Sequence, residues 1–184
     1  MSGKGGSFER DICKDLSKWI QGTEKPYIFW RGRGSGGCFT SSNLVGEAFA
    51  GDIYCVRDAG RFFVDRYSIE LKTGYKEASL DKHLKCNKSD PIREFWLQCT
   101  NDANLANKRP FLIYQKKGVQ PKWVGIDTYS KKSLSKYLKN CRYIHLNWAN
   151  EELTDTWFYG YDDFFTNISP QIITDNIEVI DNKS

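Results

Sequence analysis

The chain has 184 residues, 40% of them hydrophobic and 15% aromatic, with 27 Lys and Arg against 23 Asp and Glu for a formal charge of +4. That size and apolar content suit one folded domain with a sizeable core and argue against a disordered chain. No apolar run reaches the roughly eighteen residues of a membrane-spanning helix, and the stretch Met1–Gly6 lacks the apolar centre of a secretory signal, so the expected location is the cytoplasm. Cys13, Cys38, Cys55, Cys86, Cys99 and Cys141 form no C-x-x-C pair, and only His83 and His145 stand beside them, which argues for free thiols and against a zinc site.

Residues 1–6 are Gly-rich and read as flexible. Ser7 then caps a helix to about Ile20, with Phe8, Ile12, Leu16 and Trp19 at helical spacing as its core face and Glu9 at the edge of that face. Tyr27–Arg31 reads as a strand and Gly32–Gly37 as a loop that spells G-x-G-x-x-G. A dinucleotide-binding turn needs a helix directly after it and an acid ending the next strand. Here Cys38–Asn43 is poor helix material and Asp52 begins a strand, so the better reading is a basic, amide-rich loop whose Arg31, Arg33 and Ser35 contact phosphates, with a plain turn as the ordinary alternative.

Next, Ile53–Val56 and Phe62–Lys72 are expected to pair as an antiparallel hairpin that turns at Asp58-Ala59-Gly60-Arg61. Thr73–Ser89, with Lys76, Lys82, Lys85 and Lys88, reads as a polar loop with a short helix. Pro91 opens a helix to about Asn107 with Ile92, Phe95, Trp96, Cys99, Ala103 and Ala106 as its buried stripe and Gln98 at the border. Pro110–Gln115 reads as a central strand, Lys122–Ile126 as its partner, Ser130–Leu138 as a short helix and Tyr143–Leu146 as a further strand. The remainder is rich in aromatic and acidic residues: Trp148, Trp157, Phe158, Tyr159, Tyr161, Phe164 and Phe165 suit a core or a subunit interface better than a base-stacking platform, because Asp155, Asp162 and Asp163 repel a phosphate backbone. Beyond about Thr174 the tail is expected either to add an edge strand at Ile177–Ile180 or to stay loose.

The chemistry concentrates between Gly51 and Lys72. Strand side chains alternate faces, so Glu70 and Lys72 share one side while Ile69 and Leu71 enter apolar packing. If Asp52 reaches the same spot, two carboxylates and an ammonium meet. Asp52, Glu70 and the carbonyl of Leu71 then form an oxygen cradle of the kind that holds Mg²⁺, with Mn²⁺ as a substitute, and Lys72 lies where it would orient or deprotonate a water or neutralise charge on a phosphate. Alone, Glu-x-Lys is more often a salt-bridged exposed face. Five basic and no acidic residues between Lys108 and Lys122 add a positive stretch suited to a polyanion, or an ordinary solvated loop.

Taken in order, Phe8-Glu9-Arg10 on a helix, Trp30-Arg31 with Ser35-Gly36-Gly37, Gly51-Asp52-Ile53, Glu70-Leu71-Lys72 and a helix carrying Gln98 resemble the PD-(D/E)xK nuclease superfamily, over roughly residues 7–115. Within it the resemblance is to small phage endonucleases and Holliday-junction-resolvase-like proteins. Gly51 stands where the family name has Pro, and the interval from Asp52 to Glu70 is long. The resemblance implies an α/β fold with a restriction-endonuclease-like core, a central mixed β-sheet flanked by helices. It implies one nuclease domain over 1–184, with its core at about 7–126 and a C-terminal extension at about 127–184 packing on it. It also implies a metal-dependent endonuclease acting on duplex or branched DNA, compatible with a homodimer and with a host cytoplasm if phage-encoded. Glu9 becomes a candidate third carboxylate and Gln98 a supporting residue. The other readings are a binding module that keeps the nuclease fold without activity, a restriction-type or nicking enzyme, and a nucleotide-dependent enzyme built on the glycine loop.

Overall fold

The computed structural model describes residues 4–32, 51–76, 78, 91–116, 119, 121–148 and 155–176. Arg33 and Ser35 of the glycine loop, Lys82, Lys85 and Lys88, and the Ile177–Ile180 tail lie outside them.

The centre is a five-stranded mixed sheet made of β3 (Tyr67–Thr73), β4 (Arg109–Gln115), β5 (Trp123–Asp127), β7 (Thr156–Gly160) and β6 (Tyr143–Leu146), in that spatial order. β3 and β4 run parallel, joined by a crossover through helix α3 (Pro91–Leu105), and the remaining pairs are antiparallel. Period-two alternation sorts the two faces. Tyr67, Ile69, Leu71, Phe111, Ile113, Val124 and Ile126 pack on Phe8, Ile12, Cys13 and Leu16 of helix α1 (Lys4–Gln21). Leu112, Tyr114, Leu146 and Phe158 face the other way onto Ile92, Phe95, Trp96 and Cys99 of α3. The sheet is therefore covered on both sides, which is why its strands read as nearly unbroken apolar runs. At Gly125 a Cβ would stand 2.8 Å from the Phe158 ring, so the absence of a side chain there admits the cross-strand aromatic.

Helix α1 starts at Lys4, so Gly5 and Gly6 belong to its first turn and the helix is longer than the Ser7 cap implied. At Gly6 a Cβ would approach the Arg31 guanidinium to 2.8 Å, so the glycine lets that side chain lie against the helix. At the other end, Trp19 Nε1 donates to the Ile168 carbonyl at 2.8 Å and ties α1 to the chain beyond β7.

The expected hairpin between Ile53–Val56 and Phe62–Lys72 does not form. Strand β2 (Ile53–Cys55) instead pairs antiparallel with β1 (Phe29–Arg31) as a separate ribbon, in register Phe29 to Cys55 and Arg31 to Ile53. A 3-10 turn at Asp58–Gly60 and the short helix α2 (Arg61–Val64) follow, and the chain enters β3 parallel to residue 51 through the single bridge Gly51 to Ile69. The physical reason is Phe63. Helical geometry over Arg61–Val64 buries it completely, with its ring 5.4 Å from Trp19 and Tyr67 and 5.2 Å from Phe111, contacts that an extended Phe62-Phe63-Val64 would divide between two faces.

Past β5, Asp127 caps helix α4 (Thr128–Leu138) by accepting from the Ser130 N–H at 2.8 Å. The aromatic segment then supplies β7, placed between β5 and β6, followed by helices α5 (Tyr161–Asn167) and α6 (Pro170–Asp175). Phe158, Tyr159, Tyr161 and Phe164 are buried, in keeping with the core reading of this stretch. Among the described residues Cys13, Cys55, Cys99 and Cys141 are free thiols, and no helix is long and apolar enough to cross a membrane.

Candidate active site

The site lies at the free edge of β3. Asp52 arrives from the ribbon side: its N–H donates to the Ile69 carbonyl at 2.7 Å, and its Oδ2 accepts from the Leu71 N–H at 2.8 Å. N–H and C=O of one strand residue leave on the same side, so the Leu71 carbonyl faces the same edge as Asp52. Gly51 makes this approach sterically feasible. Its φ is +95°, and a Cβ there would sit 2.7 Å from the Ile69 oxygen and 2.8 Å from its nitrogen. A proline, with φ held near −65°, has no access to that conformation, which accounts for glycine at this position.

Glu70 and Lys72 project from β3 onto the α3 side of the sheet. Glu70 is 3% exposed, and its Oε1 accepts a charge-assisted hydrogen bond from Lys72 Nζ. Lys72 Nζ also donates to Gln98 Oε1 of α3 at 2.9 Å and sits 5.7 Å from the centre of the Phe95 ring. The structure thus brings Asp52, Glu70, Leu71, Lys72 and Gln98 to one place.

Glu9 approaches from α1. Its carboxylate forms an ion pair with Arg31 at 3.7 Å, and its Oε2 is buried with no hydrogen-bond partner among the described residues. Its negative charge is felt at Asp52. Arg31 is half-exposed at the rim, between Glu9 and the first turn of α1.

Electrostatics marks the spot. Burial, and then the charges of Glu9 and Asp102, push the Asp52 carboxyl up to about 6 against the pull of the Leu71 N–H and Lys72. Burial first, then Asp52, raise Glu70 to about 7 despite Lys72. For Lys72, burial disfavours the charge, but Glu70 and Asp52 outweigh it and its pKa is raised. It is therefore an ammonium at neutral pH, a charge and hydrogen-bond donor to the site and not a ready base. Carboxylates outnumber cations here, and each added negative charge resists its neighbours' ionisation.

The chain matches, over residues 1–175, the family described as "Phage putative PDDEXK endonuclease". The chain belongs to this phage PDDEXK endonuclease family. It is also 26% identical to Protein D14 of Escherichia phage T5 over 115 residues, a match spanning 62% of this chain and 62% of that protein. No solved structure matches. The five-stranded mixed sheet flanked by helices is the restriction-endonuclease-like arrangement of the family.

In this member of the PDDEXK family one acid near the centre is not evident from motif spacing. Asp102 lies one helical turn after Gln98 on α3, its ionised form favoured by the Gln98 side chain, and is close enough for its charge to be felt at both Asp52 and Glu70. The signal that points to it is the i, i+4 spacing of Gln98 and Asp102, which places both on one helix face. The basic stretch between Lys108 and Lys122, by contrast, is partly engaged within the fold: Arg109 pairs with Asp127 at 3.3 Å and stacks over Tyr129, and Lys122 pairs with Asp15 at 2.7 Å.

Proposed function

We propose that this chain is a divalent-metal-dependent endodeoxyribonuclease centred on Asp52, Glu70 and Lys72. One observation carries the reading: a buried carboxylate on β3 and a second from the neighbouring ribbon meet beside an ammonium, both carboxyls raised toward neutral pH first by burial and then by neighbouring negative charge.

The donor set fits a hard cation. The donors the site offers are oxygens, the Asp52 and Glu70 carboxylates and the Leu71 carbonyl, which suit Mg²⁺ or Mn²⁺ with water and phosphate oxygens completing the shell. The Glu9 oxygen left without a hydrogen bond adds a further acceptor nearby. Asp52, Glu70 and the Leu71 carbonyl would hold the ion. When bound, it supplies positive charge to the phosphate and acidifies a water.

The remaining work falls to the chain itself. Glu70 and Gln98 hold Lys72 Nζ from two sides, fixing an ammonium beside the reacting phosphodiester, where it stabilises developing negative charge and orients the attacking water. The Leu71 N–H fixes the Asp52 carboxylate. Arg31, with Arg33 and Ser35 of the adjoining loop, contacts the nucleic-acid backbone. Cutting a four-way junction on opposed strands takes two such sites and therefore a homodimer, so a resolvase-like specificity implies two-fold symmetry.

The test is cleavage of matched substrates (linear duplex, single strand, nicked circle, four-way junction and an RNA duplex) with Mg²⁺ or Mn²⁺, by the native chain and by Lys72→Ala and Glu70→Ala. Metal-dependent cutting of DNA lost in both variants supports the proposal, and the preferred substrate names the specificity. A native protein that binds these nucleic acids and cuts none of them refutes it in favour of a binding module that keeps the fold.

A further inference from the structure

The donor and acceptor inventory of the site determines the direction of one chain of hydrogen bonds. Lysine is a donor only, so the Gln98 atom 2.9 Å from Lys72 Nζ must be the amide oxygen. The amide nitrogen then faces away from Lys72. The Asp102 carboxylate lies one turn further along α3, where i, i+4 side chains meet, and its ionised form is favoured by the Gln98 side chain; it can only accept when ionised, so it is the acceptor placed for that nitrogen. An amide between a pure donor and a pure acceptor has a single satisfactory orientation; Lys72 selects the oxygen on its side, and Asp102 adds the acceptor that holds the amide nitrogen on the other.

We propose that Asp102 is a positioning residue of the nuclease site: it fixes the Gln98 amide, and through it the Lys72 ammonium, in the order Asp102, Gln98, Lys72, Glu70. This inference rests on the assignment of Lys72 to the reaction. The relay spans the two elements that carry the site, since Asp102 and Gln98 belong to α3 and Lys72 and Glu70 to β3. On the sheet side, among the described residues, Glu70 holds Lys72 Nζ, so the Gln98 contact decides whether the ammonium is held by one partner or by two. Asp102 is half-buried on the same face and carries its charge within reach of Asp52 and Glu70.

The order can be inverted without changing the total charge. Asp102→Asn removes the obligatory acceptor. Gln98→Glu keeps an acceptor for Lys72 but sets two carboxylates against each other. The double variant restores the pattern, with Lys72 donating to the new carboxylate at position 98 and the new carboxamide at position 102 donating to that carboxylate's other oxygen. Each single change is expected to lower kcat by ~10-fold, the scale typical of outer residues that orient a site, with KM for DNA unchanged, and the double variant to recover most of that loss. A double variant whose loss is the product of the two singles, a kcat untouched by Asp102→Asn, or an effect confined to KM overturns the proposal. A native chain that cuts no DNA fails the nuclease reading instead, and the relay is then judged by ¹⁵N NMR of the Gln98 side-chain amide. The proposal expects that resonance to shift and its protons to exchange faster in Asp102→Asn, with the backbone spectrum elsewhere unchanged. An unmoved Gln98 amide overturns it whether or not the protein cuts DNA.

Discussion

The raised carboxyls make the site a source of instability when no cation is bound, and Asp52→Asn measures how much. In the native chain Asp52 stands at about 6 against an ordinary 3.8, and Glu70 at about 7 against 4.5. The folded state therefore binds more protons than the unfolded one across that window, so stability is greatest below about pH 4 for these groups and is lost as pH rises through 6 to 7. Two units at Asp52 correspond to about 3 kcal/mol at most, which partial exposure reduces to roughly 1–3 kcal/mol. Asparagine keeps an oxygen for the Leu71 N–H and removes the charge. Asp52→Asn is thus expected to melt higher than the native protein at pH 8 in EDTA, by a few degrees at about 2–4 °C per kcal/mol for a chain of this size, and to show a much smaller advantage at pH 4.5, where folded Asp52 is already protonated. The native protein gains its own stability at pH 8 when Mg²⁺ is added and the variant gains less. Comparing the two proteins at each pH cancels titrations elsewhere. Equal melting temperatures at pH 8, or a variant less stable at both pH values, refute the electrostatic account of the site.

Other substitutions probe the geometry that holds it. Gly51→Ala forces a Cβ to 2.7 Å from the Ile69 oxygen at a φ of +95°, so it is expected to cost about 2 kcal/mol or more in urea unfolding and to reduce cleavage by displacing Asp52; Gly51→Pro, although it restores the residue of the family's name, is expected to do worse. Gly125→Ala meets the Phe158 ring at 2.8 Å and is expected to destabilise by about 1–3 kcal/mol while leaving KM for DNA intact, since the contact is inside the sheet and away from the site. Glu9→Gln lowers the negative charge facing Asp52, so it is expected to shift the acid limb of the pH–rate profile to lower pH, an effect absent if Glu9 serves only its ion pair with Arg31.

Much of this is legible in local pattern. Glu70-Leu71-Lys72, the stripe from Ile92 to Ala103, and the strands at Pro110–Gln115 and Tyr143–Leu146 follow from periods of two and 3.6, because each buries a face that its own spacing reveals. Pairing at a distance is what local pattern does not carry. Asp52 joins Glu70 through one parallel bridge at Gly51, and nothing local distinguishes that from a hairpin; the apolar Phe62-Phe63-Val64, which suits a strand, folds as a helical turn because Phe63 meets Trp19, Phe29, Tyr67 and Phe111 that way. The strand Thr156–Gly160 is hidden by an aromatic run with polar residues on both sides and little alternation. Asp102 does not stand out because a single acid on the polar side of a helix is commonplace until Gln98, four residues earlier, is known to face Lys72.

The central claim is that Asp52, Glu70 and Lys72 form a metal-dependent phosphodiester-cleaving site. The most direct measurement is single-turnover conversion of supercoiled plasmid to nicked or linear DNA by the native chain and by Glu70→Gln, a near-isosteric change whose folding is confirmed by an unchanged or higher melting temperature. The account predicts cutting by the native chain in Mg²⁺ or Mn²⁺, none in EDTA, and a loss of at least ~100-fold in Glu70→Gln, the scale of removing one charged group from a preorganised site. Equal cutting by a folded Glu70→Gln, or cutting that persists in EDTA, contradicts it.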